Sequence, residues 1–325
     1  MPSSAFVTGG SGFIGGRLVR RLLAGGSKVR ALARSDRSAA AVAELGAEPV
    51  HGDLGEIDAM AAGAEGCEAA FHLAAHLGQW GPREEFIGGN VTGTENALAA
   101  CRRAGVRRFV HCGTEAALLA GQPLVDVDET APLRPDSRAL YPATKAMAEQ
   151  AVRGAAGDRF ETVVLRPRLV WGAGDTTLLP EILAAVEAGR FAWIGGGRHR
   201  TSTTQVENVV EGLLLAAAKG RSGEAYFVTD GEPVVFREFL SELIAAAGVE
   251  PPQRSIPAPL ATAAAAASEA AWRLLPLGGE PPLTRLAVWL SSQECTIDVS
   301  KARAELGYLP VVSREEGLAE LRAAG

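Results

Sequence analysis

Tyr141 and Lys145 stand four residues apart in the stretch YPATK, so a helix opening there carries a phenol and an ammonium on one face. A phenol with its ordinary pKa of about 10 is a poor base at neutral pH. A neighbouring cation lowers an acid's pKa by about 1 to 3 units, which suits the pair to moving a proton on and off an alcohol oxygen. Thr114 adds a hydroxyl just past the apolar run 106–112, where an open parallel sheet gathers its chemistry beyond the carboxyl ends of its strands. Taken singly these features are ordinary: a loop threonine caps a turn, and many helices carry a tyrosine and a lysine at this spacing. Their weight comes from what precedes them.

The stretch AFVTGGSGFIGG at 5–16 is the seat those side chains need. Gly9, Gly12 and Gly15 fall three apart after a β-forming run, and Phe13, Ile14, Leu18, Val19, Leu22 and Leu23 recur at helical spacing. A strand that ends in glycines and turns straight into a helix aims backbone N–H groups and the positive helix end at one spot, which suits a dinucleotide pyrophosphate. Residues 28–33 read as a second strand. NAD sites usually place an acid at its end, to accept from the ribose 2′-hydroxyl. This chain has Ala33 and then Arg34, and a guanidinium pairs with a 2′-phosphate, so the chemistry leans to NADP over NAD, with Asp36 and Arg37 blurring the choice.

Further strands are expected at 49–54, 69–75, 106–112, 162–165 and 225–229, and helices at 39–45, 90–105, 141–153, 178–190, 236–247 and from 206. Asp53 at the third strand's tip is placed to meet an adenine amino group. His72, inside an unbroken apolar strand, reads as a packed core residue. The loop 77–88, with Trp80, is expected to border the substrate pocket together with the 178–195 region and the alanine-rich tail. The alternation gives an α/β fold, a Rossmann doubly wound parallel sheet, with a smaller C-terminal substrate-binding lobe. The dinucleotide-binding part is expected over 1–168 with 203–232 returning to it, and the lobe over 169–202 and 233–325.

Composition limits the rest. The 325 residues carry a formal charge of −6 from interspersed acids and bases, which argues against a nucleic-acid partner. Cys67, Cys101, Cys112 and Cys295 show no CxxC spacing, so a reducing, cytoplasmic setting and no metal are expected. The alanine-rich run 260–267 is too short to span a bilayer.

TGGSGFIG at 8–15, Asp53-Leu54, HLAA at 72–75, NVTGTENAL at 90–98, YPATK at 141–145, LRPRLVWG at 165–172 and ELGYLP at 305–310 together resemble the extended short-chain dehydrogenase/reductase superfamily over essentially the full length. Through LRPRLVWG and VENVV at 206–210, the chain is most similar to its 3β-hydroxysteroid and sterol dehydrogenase branch. The resemblance implies hydride transfer between a nicotinamide and a carbinol or carbonyl carbon of a small apolar substrate, of steroid, terpenoid or polyketide type. Tyr141 would serve as acid/base, Thr114 would hydrogen-bond the same oxygen, and Lys145 would bind the nicotinamide ribose. Gly9, Gly12, Phe13, Ile14, Gly15, Arg34, Asp53 and Leu54 are implied in holding the cofactor, along with Leu73, Ala74, Ala75, Tyr141, Lys145, Pro167, Leu169 and Val170. A homodimer through the helices starting near Asn90 and Tyr141 is also implied. Thr201 stands where nucleotide-sugar members carry an arginine, and Thr114-Glu115-Ala116 lacks the second acid of the sugar dehydratases. Both departures weigh against the alternative of a nucleotide-sugar epimerase with bound NAD. The intact Tyr/Lys pair weighs against a non-catalytic NAD(P) sensor.

Overall fold

In the computed structural model, which describes every residue except Pro276 and Gly325, one parallel sheet organises the chain. Its strands are β1 (Ser4–Thr8), β2 (Lys28–Ala33), β3 (Glu48–His51), β4 (Ala69–His72), β5 (Arg108–Cys112), β6 (Glu161–Pro167) and β7 (Glu224–Val228). They lie in the order β3-β2-β1-β4-β5-β6-β7, so the chain reverses its direction of growth between β1 and β4. A crevice for a ligand opens outside the carboxyl ends of strands at such a switch point.

The strands are buried on both faces, and their side chains divide with the period of two that a pleat imposes. Ala5, Val7, Phe71 and Val110 pack on one side with Leu18, Val19 and Leu22 of α1 (Phe13–Ala24) and with Val209, Val210 and Leu213 of a later helix, Val206–Lys219. Phe6, Ala70, Phe109 and Val164 pack on the other side. They meet Met60 and Ala61 of Ile57–Ala64, Leu98 and Cys101 of Gly93–Arg103, and Val152 of Leu140–Gly154. With Asp36–Glu44 as α2, these helices are α3 (Ile57–Ala64), α4 (Gly93–Arg103), α5 (Leu140–Gly154) and α6 (Val206–Lys219).

Helix α4 starts later than the spacing suggested. Asn90 lies inside a π-helical turn, Ile87–Thr92, because its amide is held elsewhere. Asn90 Oδ1 accepts from the His76 N–H at 2.7 Å, and its Nδ2 donates to His76 O at 3.1 Å and Thr144 Oγ1 at 3.0 Å, tying the loop after β4 to α5. A second brace joins α5 to β6: the fully buried Arg166 guanidinium grips Glu149 through Nε and Nη2. Each buried charge is thereby paired.

The remaining elements gather beside the carboxyl edge. A four-stranded sheet takes Val234–Val235, Arg200–Thr201, Cys295–Ile297 and Leu124–Val127 in that order. Helices Ala258–Leu274 and Arg285–Ser292 pack together, and Phe236–Ala246 packs with Arg314–Ala324 around Trp171 and Trp193. Among the described residues no helix is long and apolar enough to cross a membrane.

Candidate active site

The glycine turn is built as a cradle. Gly9 has φ +73°, and a Cβ there would sit 2.7 Å from Ala74 N; a Cβ on Gly15 would lie 2.0 Å from Gly9 O. Only hydrogen fits at either place, so α1 approaches β1 closely. Helix α1 has Gly12 as its N-cap, with no side-chain cap and no acid in its first turn, whereas Ser35 and Ser38 cap α2 reciprocally. The uncapped N–H groups of α1, with Phe13 and Ile14 in its first turn, are therefore free for an anion. The residues present fit a dinucleotide pyrophosphate.

The other expected cofactor contacts lie around this turn. Leu73, Ala74 and Ala75 follow β4, with Leu73 N–H donating to Thr8 O and Ala74 N–H to Thr8 Oγ1. Arg34 is exposed at the end of β2 and has no ion pair among the described residues. Asp53, past β3, spends Oδ1 on the Gly55 N–H at 2.6 Å and keeps its other oxygen free, with Leu54 half-buried behind it. Pro167 ends β6. Leu169 follows with φ +42°, a left-handed conformation costly for a bulky side chain, and Val170 leads into a short strand.

Register brings the ends of the strands level: Thr8, His72, His111 and Val164 pair in one row across β1, β4, β5 and β6. Beyond that row sit Thr114, Tyr141 and Lys145. Lys145 Nζ donates to Cys112 O at 3.1 Å and lies 3.5 Å from His111 Nε2. Tyr141 opens α5 against Thr114, Glu115 and Cys112. Burial raises the phenol's pKa, the negative Glu115 and then Cys112 raise it further, and a hydrogen bond with Thr114 works against them. This reverses the expectation that Lys145 brings the phenol down, because the lysine is drawn to the end of β5 and burial is the larger effect. Lys145 is itself lowered, first by burial.

Two buried partners were not legible as such. Thr114 Oγ1 donates to Glu115 Oε2 at 2.8 Å and accepts from the Ala116 N–H at 3.1 Å. Glu115 in turn pairs with Arg168, both almost wholly buried, and Arg168 also donates to Thr201 Oγ1 at 3.3 Å. The threonine's hydroxyl is thus oriented by an acid that an arginine pins in place. His72 is a packed residue, as its strand suggested: Thr8 Oγ1 and Thr94 Oγ1 flank its ring nitrogens at 2.7 and 3.0 Å. Burial lowers its pKa to about 3 and that of His111 well below the ordinary value, so both are neutral.

Beside the head of α5 lies a cavity of about 150 Å³. Trp80 lines it, and so does the alanine-rich helix through Trp272 and Arg273. The 178–195 segment does not line it; Ala139, Leu140 and Leu286 add apolar surface, and Gln79, Arg138 and Glu269 add polar groups.

A switch-point crevice with an uncapped glycine-turn helix and a tyrosine, lysine and threonine at the end of β5 defines a nucleotide-dependent oxidoreductase of the extended short-chain dehydrogenase type. Residues 6–258 match the 3-beta hydroxysteroid dehydrogenase/isomerase family. The chain belongs to that family. It is 48% identical over 98% of its length to a 4-hydroxy-2-methyl-3-oxo-4-farnesyl-3,4-dihydroquinoline-1-oxide ketoreductase of Stigmatella aurantiaca, covering 96% of that protein. It is 39% identical to a 2-alkyl-3-oxoalkanoate reductase of Stenotrophomonas maltophilia, over 98% of each chain. In fold it is similar to the dTDP-glucose 4,6-dehydratase DesIV of Streptomyces venezuelae, solved with NAD, at TM-score 0.75 and 24% identity over 98% of this chain and 96% of that one.

Proposed function

We propose that the chain interconverts a secondary alcohol and a ketone on a bulky apolar substrate whose carbonyl neighbours a branched carbon, using NADP(H). The observation that carries this is the gathering of Tyr141, Thr114 and Lys145 past the end of β5, beside the switch point. The names of both relatives describe a 3-oxo group next to a carbon bearing a long chain, a farnesyl group in one and an alkyl group in the other.

A bound nicotinamide supplies or takes the hydride. The chain's own residues handle the proton. Tyr141, kept protonated by its surroundings, gives a proton to the ketone oxygen, and Thr114 holds the same oxygen by turning its hydroxyl proton to it from Glu115 Oε2. Lys145 spends one donor on Cys112 O and offers another to the nicotinamide ribose. Arg34, exposed just past the end of β2, and exposed Arg37 of α2 support NADP over NAD, since a guanidinium pairs with a 2′-phosphate. Buried Cys67, Cys101, Cys112 and Cys295 are free thiols, in keeping with a reducing cytoplasm. A homodimer through α4 and α5 completes the reading, tested by light scattering.

Thr201, at the position where nucleotide-sugar relatives carry an arginine, is buried, and the Arg168 guanidinium beside it is already paired with Glu115, which weighs against a nucleotide-sugar substrate. The test is to mix protein and NADPH with 2-branched long-chain ketones and, separately, with UDP-sugars, following the nicotinamide absorbance. NADPH loss with the ketones alone is expected. Epimerisation of a UDP-sugar by retained NAD, with no net NADPH loss, would overturn the reading.

A further inference from the structure

Resting on that reading, we propose that His111 is a positioning residue for Lys145, a neutral imidazole near the end of β5 whose Nε2 lone pair holds the ammonium in place for the nicotinamide ribose. A donor and a ring nitrogen stand face to face there. Lys145 Nζ lies 3.5 Å from His111 Nε2 and donates to Cys112 O at 3.1 Å. An ammonium has three N–H groups and no acceptor, so the nitrogen turned to it must be the bare one. The ring proton then sits on Nδ1, which is buried and has no hydrogen-bond partner among the described residues. A buried donor left unpaired is uncommon and costs free energy, so the ring is held in this orientation by its neighbours and not by its own Nδ1.

Those neighbours lie in the row that crosses the strand ends. The His72 ring stacks on that of His111, with centroids 5.4 Å apart and 25° between the planes. His72 is fixed in turn by Thr8 Oγ1 at 2.7 Å and Thr94 Oγ1 at 3.0 Å. Thr8 closes β1, directly before Gly9. A file of side chains therefore runs from the glycine turn to the lysine. The titratable groups that act on Lys145 are Cys112 on β5, Glu149 on its own helix, and His111 and His72 across the row; Tyr141 opens the same helix one turn earlier. Glu149, the one acid among them, is gripped by Arg166. Lys145 is thus held by uncharged atoms, and its charge stays uncancelled for a ribose hydroxyl and the phenol. A carboxylate at position 111 would take that charge for itself. A protonated imidazole would repel it, but burial, then Lys145 and His72, hold His111 well below its ordinary pKa, so it stays an acceptor through the neutral range.

The ring can be read in the parent protein. With nitrogen-15 histidine, and His111→Gln to assign its signals, Nε2 should carry no proton between about pH 6 and 9, and its resonance should move when NADPH is added. A proton on Nε2 overturns the proposal. NADPH fluorescence titrations against pH then compare His111→Phe, which keeps a ring on His72 but loses the acceptor, with His111→Gln, whose amide oxygen reaches the place of Nε2. His111→Phe should bind NADPH about tenfold more weakly near neutral pH, as expected for one long charge-assisted hydrogen bond. Its binding should also fail about one pH unit earlier on the alkaline side, because a lysine with fewer acceptors loses its proton sooner. His111→Gln should restore most of both. Circular dichroism verifies folding, and should His111→Phe not fold, the nitrogen-15 reading decides alone. Parent-like binding by His111→Phe across the pH range, or a His111→Gln protein as weak as His111→Phe, shows packing without an acceptor's role and overturns the proposal alone. A parent protein that binds neither NADPH nor NADH defeats the reading on which it rests.

Discussion

Glu115→Gln removes the anion that orients Thr114 and leaves the Arg168 guanidinium buried without its partner. Glu115 and Arg168 side chains are 4% and 1% exposed, and Arg168 Nε already lacks an acceptor. Only the Thr201 hydroxyl, 3.3 Å away, and the new amide oxygen remain to solvate the charge. Breaking such a pair from one side costs about 3–5 kcal/mol, and the amide oxygen places this case near the lower end. Urea unfolding should report that loss. A second effect is chemical. Glu115 is the charge that does most to raise the Tyr141 phenol, after burial, so its removal lowers the phenol's pKa. The acid limb of the alcohol-oxidation pH profile, which needs the phenolate, should move to lower pH. So should the base limb of ketone reduction, which needs the phenol. Glu115→Leu with Arg168→Met separates the two effects, because replacing both ions by apolar groups of similar size is often neutral in stability. That variant should regain most of the lost stability and keep the shifted profile. A Glu115→Gln protein less than about 1 kcal/mol destabilised, with both limbs unmoved, would refute the role given to the pair.

Three further outcomes follow from the same structure. Arg34→Asp should reverse cofactor preference, raising KM for NADPH and lowering it for NADH; an unchanged ratio in initial-rate kinetics would remove Arg34 from the ribose site. His72 and His111 have folded pKa values below the ordinary 6.5, so above that pH both states are neutral and stability is full. As pH falls below it the unfolded chain binds protons that the folded one refuses, and stability is lost by about 1.4 kcal/mol per pH unit for each histidine, down to about pH 3 for His72. His72→Gln should flatten the slope between pH 6 and 4, measured by urea unfolding, by one histidine's share.

Much of the sheet was legible because strands covered on both faces read as apolar runs, and because Gly9, Gly12 and Gly15 punctuate a change of period from two to 3.6. Tyr141 and Lys145 were legible for a related reason: their relation is local, set by one helix. Glu115 and Arg168 were not, since they meet only when β5 and β6 come side by side, and either alone reads as a solvated charge. The cavity was hidden in the same way, being assembled from Gln79, Arg138 and Trp272 on segments far apart in the chain. The strand at Leu124–Val127 carried no usable alternation. The phenol's direction of shift was misread because spacing shows a neighbouring cation but not burial, and burial is the larger influence.

Pre-steady-state turnover of Tyr141→Phe with NADPH and a 2-branched 3-oxo substrate tests the central claim most directly. Loss of general acid catalysis predicts a hydride-transfer rate about 10²- to 10⁴-fold lower, with NADPH binding by fluorescence titration nearly unchanged. A variant that transfers hydride at the rate of the parent protein would show that the proton comes from elsewhere, and the site built around Tyr141 would be contradicted.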